Sequence, residues 1–342
     1  MKTIKLKFIG KNWNKLKPGE IPFPFDKILS EYFHVESSNE PDFVISKESL
    51  NFYADCLQKH PHAPVRILFA GEALVPDFNI FDYAIGFDRI DFGDRYFRIG
   101  TKNFFSAFDD TIDLAPKATD PSAPDRKFCN FIYSNSSSNN MRRDLFTQFS
   151  AYRHVDAAGA LMRNTDFLIE TGANWCRSKL DFQSGYKFTL AIENSKYRGY
   201  TTEKLLHPMS AQSIPIYWGN EDVGKEFNTK SFINCHDYNH IDDVVAAVKK
   251  LDQTPDLYQQ MLNEPWQTEE QIAQSEKNAA AFRDFVLNIF NKNVGDARRR
   301  GDGTWVWRYE NTLRQRIKLH EKHSNSFPHR LSRRLQKWGL KK

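Results

Sequence analysis

Tyr186-Lys187-Phe188-Thr189-Leu190-Ala191-Ile192 runs straight into Glu193-Asn194-Ser195-Lys196-Tyr197-Arg198-Gly199-Tyr200-Thr201-Thr202-Glu203-Lys204. The opening seven residues form a near-continuous apolar run, the pattern of a strand buried in a parallel sheet. The polar stretch behind it leads to Leu205, Leu206 and Ala211, then to a second buried run, Ile214-Pro215-Ile216-Tyr217-Trp218-Gly219. Strand, polar loop, helix and strand in that order predict an open α/β sheet. In such sheets ligands bind outside the carboxyl ends of the strands, where helix N-termini favour anions. Glu203 and Lys204 fall at that helix start. A lysine there can pair with a phosphate and a carboxylate can accept from ribose hydroxyls, while Gly199 permits a turn or a close approach.

Outward from this segment, the chain alternates strand and helix signals. Asp42-Phe43-Val44-Ile45, Val65-Arg66-Ile67-Leu68-Phe69-Ala70 and Phe81-Asp82-Tyr83-Ala84-Ile85-Gly86-Phe87 are short apolar runs bounded by polar or turn residues, and they predict a Rossmann-like sheet. Residues 115–127 carry Pro116, Pro121 and Pro124 among small and charged residues, the composition of a domain junction. A second α/β unit follows, with a strand over 128–133, a Ser/Asn loop, and a helix in which Met141, Leu145, Phe149 and Tyr152 share one face. The expected organisation is a first domain over 1–122, a second over 123–295 and a tail over 296–342.

The 342 residues suffice for two domains with cores of their own, and 14% aromatic content argues against disorder. Met1-Lys2-Thr3-Ile4-Lys5-Leu6-Lys7-Phe8-Ile9 alternates like a strand and unlike the apolar core of a signal peptide, and no run of 18 apolar residues occurs. A cytoplasmic location is therefore expected. Cys56, Cys129, Cys176 and Cys235 are widely spaced, as free buried thiols are. No Asp-x-Asp triplet is present, and His60 and His62 flank Pro61 without further ligands nearby, so no metal is expected. Charge is uneven. Residues 296–342 hold 14 Lys or Arg against 4 Asp or Glu, a net +10, whereas the whole chain is +5, leaving −5 on 1–295. Near the end, Leu331, Leu335 and Trp338 share a helical face amid basic residues, with Pro328 placed to start the helix. Such a helix suits the interface of an anionic leaflet.

Two further positions carry chemistry. Arg142 follows the polar loop 135–140 in the first turn of its helix, aiming a permanent cation at whatever anion sits there. Glu72 follows Leu68-Phe69-Ala70-Gly71 and emerges at the carboxyl end of a predicted strand, where a base can face a cleft.

The stretch 193–219 resembles the signature of the α-1,3/4-fucosyltransferases, glycosyltransferase family 10: a Glu-Asn-Ser element, Gly-Tyr-x-Thr-Glu-Lys, a helix, and Ile-Pro-Ile-Tyr-Trp-Gly. Phe69-Ala70-Gly71-Glu72, with Pro76-Asp77-Phe78-Asn79 and the run 81–88, is similar to that family's Thr-Gly-Glu-Asn element and its downstream Phe-Asp-Tyr-Ala-Ile-Gly-Phe-Asp block. Here Ala70 and Ala73 replace the threonine and asparagine, which changes the surroundings of the glutamate. Pro208 inside the helix after Thr202 is another departure, expected to kink or shorten it.

The resemblance implies a GT-B architecture, α/β with two Rossmann-like domains facing a cleft and a basic helical tail. It implies an inverting transfer of L-fucose from GDP-fucose to O-3, or alternatively O-4, of N-acetylglucosamine in galactose-containing, N-acetyllactosamine-type acceptors, making Lewis-type glycans. Glu72 would be the general base, and Arg142 and Lys204 would hold the diphosphate without metal or other cofactor. Asn194, Tyr200 and Glu203 would contact the fucose or the nucleoside, with Glu193 either ligand or support. The basic tail implies peripheral attachment to the inner face of the cytoplasmic membrane, with no nucleic-acid partner. Competing readings are a non-catalytic membrane- or nucleic-acid-binding protein, and a transferase using another nucleotide sugar.

Overall fold

A computed structural model of the chain describes residues 1–10, 13–17, 19–48, 65–105, 111–114, 126–135 and 140–324. Most of the proline-bearing stretch 115–127, together with Cys56, His60, His62 and the terminal run holding Leu331, Leu335 and Trp338, lies outside the described residues. The chain divides into two compact units, one of Met1–Gly86, Asp91–Phe97 and Asp284–Lys342, the other of Phe87–Ile90 and Arg98–Arg283.

The first unit contains β1 (Lys2–Ile9), α1 (Asp26–Tyr32), β2 (Phe33–Ser37), β3 (Phe43–Lys47), β4 (Val65–Phe69), β5 (Tyr83–Gly86) and β6 (Tyr96–Arg98), with the strands in the order β2-β1-β3-β4-β5-β6. β1 pairs parallel with β2 and with β3, β3 with β4, and β4 with β5. Every residue of β4 and β5 is buried, which explains their largely apolar sequences, Arg66 being the one charged residue among them. The strand order reverses between β1 and β3, where doubly wound sheets open a crevice at the carboxyl ends.

The second unit repeats this plan. Its elements are α2 (Thr101–Phe105), β7 (Lys127–Phe131), α3 (Met141–Tyr152), β8 (Val155–Ala157), α4 (Trp175–Ser184), β9 (Tyr186–Ile192), α5 (Glu203–Ser210), β10 (Ile214–Trp218), β11 (Ile233–Asn234), α6 (Ile241–Gln253) and α7 (Pro255–Asn263). The strand order is β11-β10-β9-β7-β8, parallel throughout, so the reversal falls between β7 and β9. Alternation explains how one apolar run serves two faces. Phe188, Leu190 and Ile192 of β9, with Ile214, Ile216 and Trp218 of β10, pack under Leu145 and Phe149 of α3 and Val244 and Val248 of α6. Ala191 and Tyr217 point the other way, against Leu205, Leu206 and Met209 of α5. α5 runs through Pro208 and ends at Ser210, a helix short enough to need few of the hydrogen bonds a proline removes.

The chain then returns to the first unit through α8 (Glu269–Asn291), α9 (Val294–Ala297) and α10 (Thr304–Ser324). Phe290 packs on Phe43 at 4.8 Å and Phe33 at 6.0 Å between ring centroids. Behind it, the fully buried Asp82 accepts from the backbone N–H of Arg66 at 2.7 Å, and from those of Arg299 and Arg300 at 2.8 Å each. The Arg300 guanidinium lies 3.0 Å from the same carboxylate, and Arg66 pairs at 2.8 Å with Glu310 of α10. One buried carboxylate thus anchors the returning segment to β4. Asp82→Ala, which would strand three amides and a buried guanidinium, is expected to cost about 3–5 kcal/mol. Urea denaturation would measure it, and a loss below 1 kcal/mol would contradict this anchoring role.

Candidate functional site

The reversal between β7 and β9 brings two loops together. Arg142, in the first turn of α3, is 1% exposed. Its guanidinium lies over the Tyr133 ring at 4.1 Å. One terminal nitrogen donates to Asn135 O at 3.0 Å and Asn135 Oδ1 at 2.5 Å, the other to Ile192 O at 3.2 Å and Asn194 Oδ1 at 2.8 Å. Arg142 therefore joins the loop after β7 to the loop after β9 through hydrogen bonds to neutral oxygens. Burial lowers its pKa, against the pull of Tyr133 and Glu193.

Behind Asn194 the loop is built on Glu193, which has no exposed surface and is a support. Its carboxylate accepts from Thr202 N at 2.7 Å and from Thr202 Oγ1 at 2.8 Å, and lies 3.4 Å from Lys204 Nζ. Thr202 is the N-cap of α5, its hydroxyl accepting from Lys204 N and, at 3.0 Å, from Lys204 Nζ. Lys204 Nζ also meets Glu203 Oε1 at 3.3 Å. Burial would lower the Lys204 pKa, but the Glu193 and Glu203 carboxylates raise it, so the ammonium is charged at neutral pH. Burial pushes Glu193 up against the pull of Lys204, and pushes Glu203 the same way. In Glu203, however, Lys204 and Lys179 prevail and bring the carboxyl down to about 2.

Two glycines make this arrangement possible. Gly199, at φ +87°, approaches the Phe87 carbonyl so closely that a Cβ would collide with it, and a Cβ on Gly219 would strike the Glu193 side chain. Buried Asn220 fixes the loop by accepting from Gly199 N at 2.7 Å and donating to Thr201 Oγ1 at 3.0 Å. Tyr200 is 2% exposed and packs edge-on against Phe87 at 5.6 Å.

Arg142, Asn194, Glu203 and Lys204 thus converge at one end of the second sheet, with Tyr200 buried behind them. Glu72 stands apart in the first unit, exposed just beyond β4. Beside it is a carboxylate the sequence did not single out. Glu48, after β3, accepts from Gly71 N at 2.7 Å, and burial, with the charge of Glu72 adding to it, raises its pKa. A second unanticipated residue, Lys179 of α4, is 5% exposed and electrostatically coupled to Glu203. Among the described residues, no group of three or more His, Cys, Asp or Glu could hold a metal ion.

Cations at the strand reversal of a parallel α/β sheet, beside a capped helix start, form an arrangement suited to anions in a protein of the doubly wound class. Residues 123–291 match the family model for glycosyltransferase family 10 (fucosyltransferase) C-term, and residues 20–105 match that for the alpha-(1,3)-fucosyltransferase FucT N-terminal domain. The chain belongs to glycosyltransferase family 10, as its motifs indicated. It is 33% identical over 230 residues to the Helicobacter pylori alpha-(1,3)-fucosyltransferase FucT, across 58% of this chain and 46% of that protein. The chain thus spans about half the length of this curated relative. A solved alpha1,3-fucosyltransferase structure is similar at a TM-score of 0.66 and 25% identity, covering 86% of this chain and 92% of the other. The structure of an alpha1,3-fucosyltransferase with GDP-fucose is similar at 0.64 and 25%, covering 84% and 91%. These likenesses agree with the GT-B class expected from the sequence.

The charge on Glu203 has a measurable signature. Because its folded pKa is depressed to about 2, its contribution to stability is complete above the ordinary carboxylate range and vanishes as pH falls through that value. Glu203→Gln is expected to cost about 1–3 kcal/mol at pH 6 and progressively less toward pH 2, read from urea denaturation at each pH. A difference independent of pH would contradict the ion-pair assignment.

Proposed function

We propose that the chain is an inverting α-1,3-fucosyltransferase that moves L-fucose from GDP-fucose to O-3, or alternatively O-4, of N-acetylglucosamine in N-acetyllactosamine-type acceptors. The observation that carries this reading is the pair of cations, Arg142 and Lys204, fixed on neighbouring loops at the strand reversal of the second sheet. The likeness to an alpha1,3-fucosyltransferase with GDP-fucose supports the choice of donor.

In the transfer, the bond from fucose C1 to the diphosphate oxygen breaks as C1 bonds to the acceptor oxygen. The acceptor proton passes to the Glu72 carboxylate, and the electron pair departs with GDP, which gains a negative charge. The sugar passes through an oxocarbenium-like state, so the demand falls on proton removal and on leaving-group stabilisation. Arg142 and Lys204 answer the second demand with charges fixed before the reaction begins. Asn194, Tyr200 and Glu203 are assigned to the sugar and nucleoside. The exposure of Glu72 suits a base that must meet an incoming hydroxyl.

A radiolabelled transfer assay with N-acetyllactosamine and a panel of nucleotide sugars tests the reaction. Turnover is expected with GDP-fucose, and turnover with UDP-galactose alone would overturn the donor assignment. Glu72→Ala is expected to lower kcat by about 10²- to 10⁴-fold with GDP affinity intact. Lys204→Ala is expected to weaken GDP binding about 10- to 100-fold. Normal turnover by Glu72→Ala would remove it as the base.

The basic C-terminal stretch is proposed to hold the enzyme against the inner face of the cytoplasmic membrane. Trp305 and Trp307, 78% and 64% exposed at the start of α10, supply aromatic surface beside Arg308, and this supports the reading. Among the described residues, no helix is long and apolar enough to cross a membrane. Co-sedimentation with anionic liposomes is expected for the full chain and reduced for one lacking 325–342. Equal pelleting of the two forms would contradict the terminal tether.

A further inference from the structure

Lys179 lies on α4, which packs against α5 so that Trp175 meets His207 edge-on at 5.9 Å. The residue is 5% exposed, with Nζ 5.1 Å from the centroid of the Trp175 ring. Among the described residues Nζ makes no hydrogen bond and no ion pair within salt-bridge range. A buried ammonium in that condition carries a desolvation cost that only a partner of opposite charge or strong acceptor character offsets. Burial accordingly lowers its pKa, while Glu203 raises it.

The neighbouring cations are differently engaged. Both terminal nitrogens of Arg142 donate to neutral oxygens of Asn135, Ile192 and Asn194. Lys204 Nζ is surrounded by Thr202, Glu203 and Glu193, enough to occupy all three of its N–H groups. The cluster therefore has three cations, Arg142, Lys179 and Lys204, against two carboxylates, both of which lean on Lys204. Three cations against two carboxylates leave one net positive charge, an excess that favours an anionic ligand such as a nucleoside diphosphate. Arg142 keeps a buried Nε–H without a partner among the described residues, and Lys179 has its ammonium N–H groups to offer for a direct bond.

We propose that Lys179 is a diphosphate ligand of the donor site, giving its ammonium protons to an anionic phosphate oxygen of the nucleotide. The inference rests on the donor reading proposed above and adds a residue to it. Arg142 and Lys204 then act mainly through fixed charge, and Lys179 acts through contact.

Calorimetric titration of the full chain with GDP and with guanosine tests this. Lys179→Gln, which keeps most of the stem and loses the charge, is expected to weaken GDP binding by about 10- to 100-fold while leaving guanosine affinity unchanged. Lys179→Arg is expected to recover much of the lost GDP affinity, since it restores a cation at the same site. Circular dichroism and thermal melting establish folding. If Lys179→Gln fails to fold, Lys179→Arg read against wild type at low and high salt carries the same comparison, with retained salt-sensitive GDP binding supporting the contact and salt-independent binding overturning it. Unchanged GDP affinity in Lys179→Gln, or equal losses for GDP and guanosine, would overturn the phosphate contact while leaving the donor reading intact. A wild-type chain that binds neither GDP nor GDP-fucose would overturn both.

Discussion

A carboxylate with no exposed surface governs the second unit. Glu193 closes β9, and its oxygens are claimed by the Thr202 amide and hydroxyl and by the Lys204 ammonium. Such a group is tolerated only when its partners are in place, because an unpaired buried charge costs several kcal/mol. The loop between β9 and α5 therefore has one acceptable path, which caps α5 with Thr202 and stations Lys204 beside the strand end. Gly219 leaves room for the carboxylate's stem, and Gly199 allows the loop to press on the Phe87 carbonyl. Folding and charge placement are the same event here.

The two sheets share a strand order and diverge in chemistry. At the reversal in the second unit, the strand ends carry Arg142 and the Glu193-Thr202-Lys204 group, an environment suited to anions. At the corresponding end of the first unit are Lys47, Glu48 and Glu72, with Glu48 gripping the Gly71 amide where the replaced threonine and asparagine leave only Ala70 and Ala73. One scaffold thus presents carboxylates at the strand ends of one unit and cations at those of the other. That division explains why a fold used for many purposes yields a defined reaction only through its loops.

Much of this was legible in the sequence. Buried strands announce themselves by unbroken apolar runs, so β9 and β10 were readable, and Met141, Leu145, Phe149 and Tyr152 do share a face of α3. Arg142, Asn194, Glu203 and Lys204 were readable because they occupy strand-to-helix transitions within a long family motif. Glu48, Asp82 and Lys179 were not, since each is a charged residue whose importance lies in its tertiary surroundings. Asp82 meets partners 217 and 218 positions away, a distance at which local pattern carries no information. The role of Glu193 stayed open for the same reason, because burial, and not residue type, separates a support from a ligand.

The first unit is discontinuous, and this bears on how the molecule is made. A ribosome delivers β1 to β5 early, yet Phe290, Arg299, Arg300 and Glu310, which complete that unit's packing and satisfy Asp82 and Arg66, emerge only after the whole second sheet. The second unit, nearly contiguous, can finish first. During synthesis the early strands wait with Phe43 uncovered and a buried-to-be carboxylate unsatisfied, the condition in which nascent chains depend on chaperones. The segment that follows the second sheet thus acts as a latch on strands laid down before it.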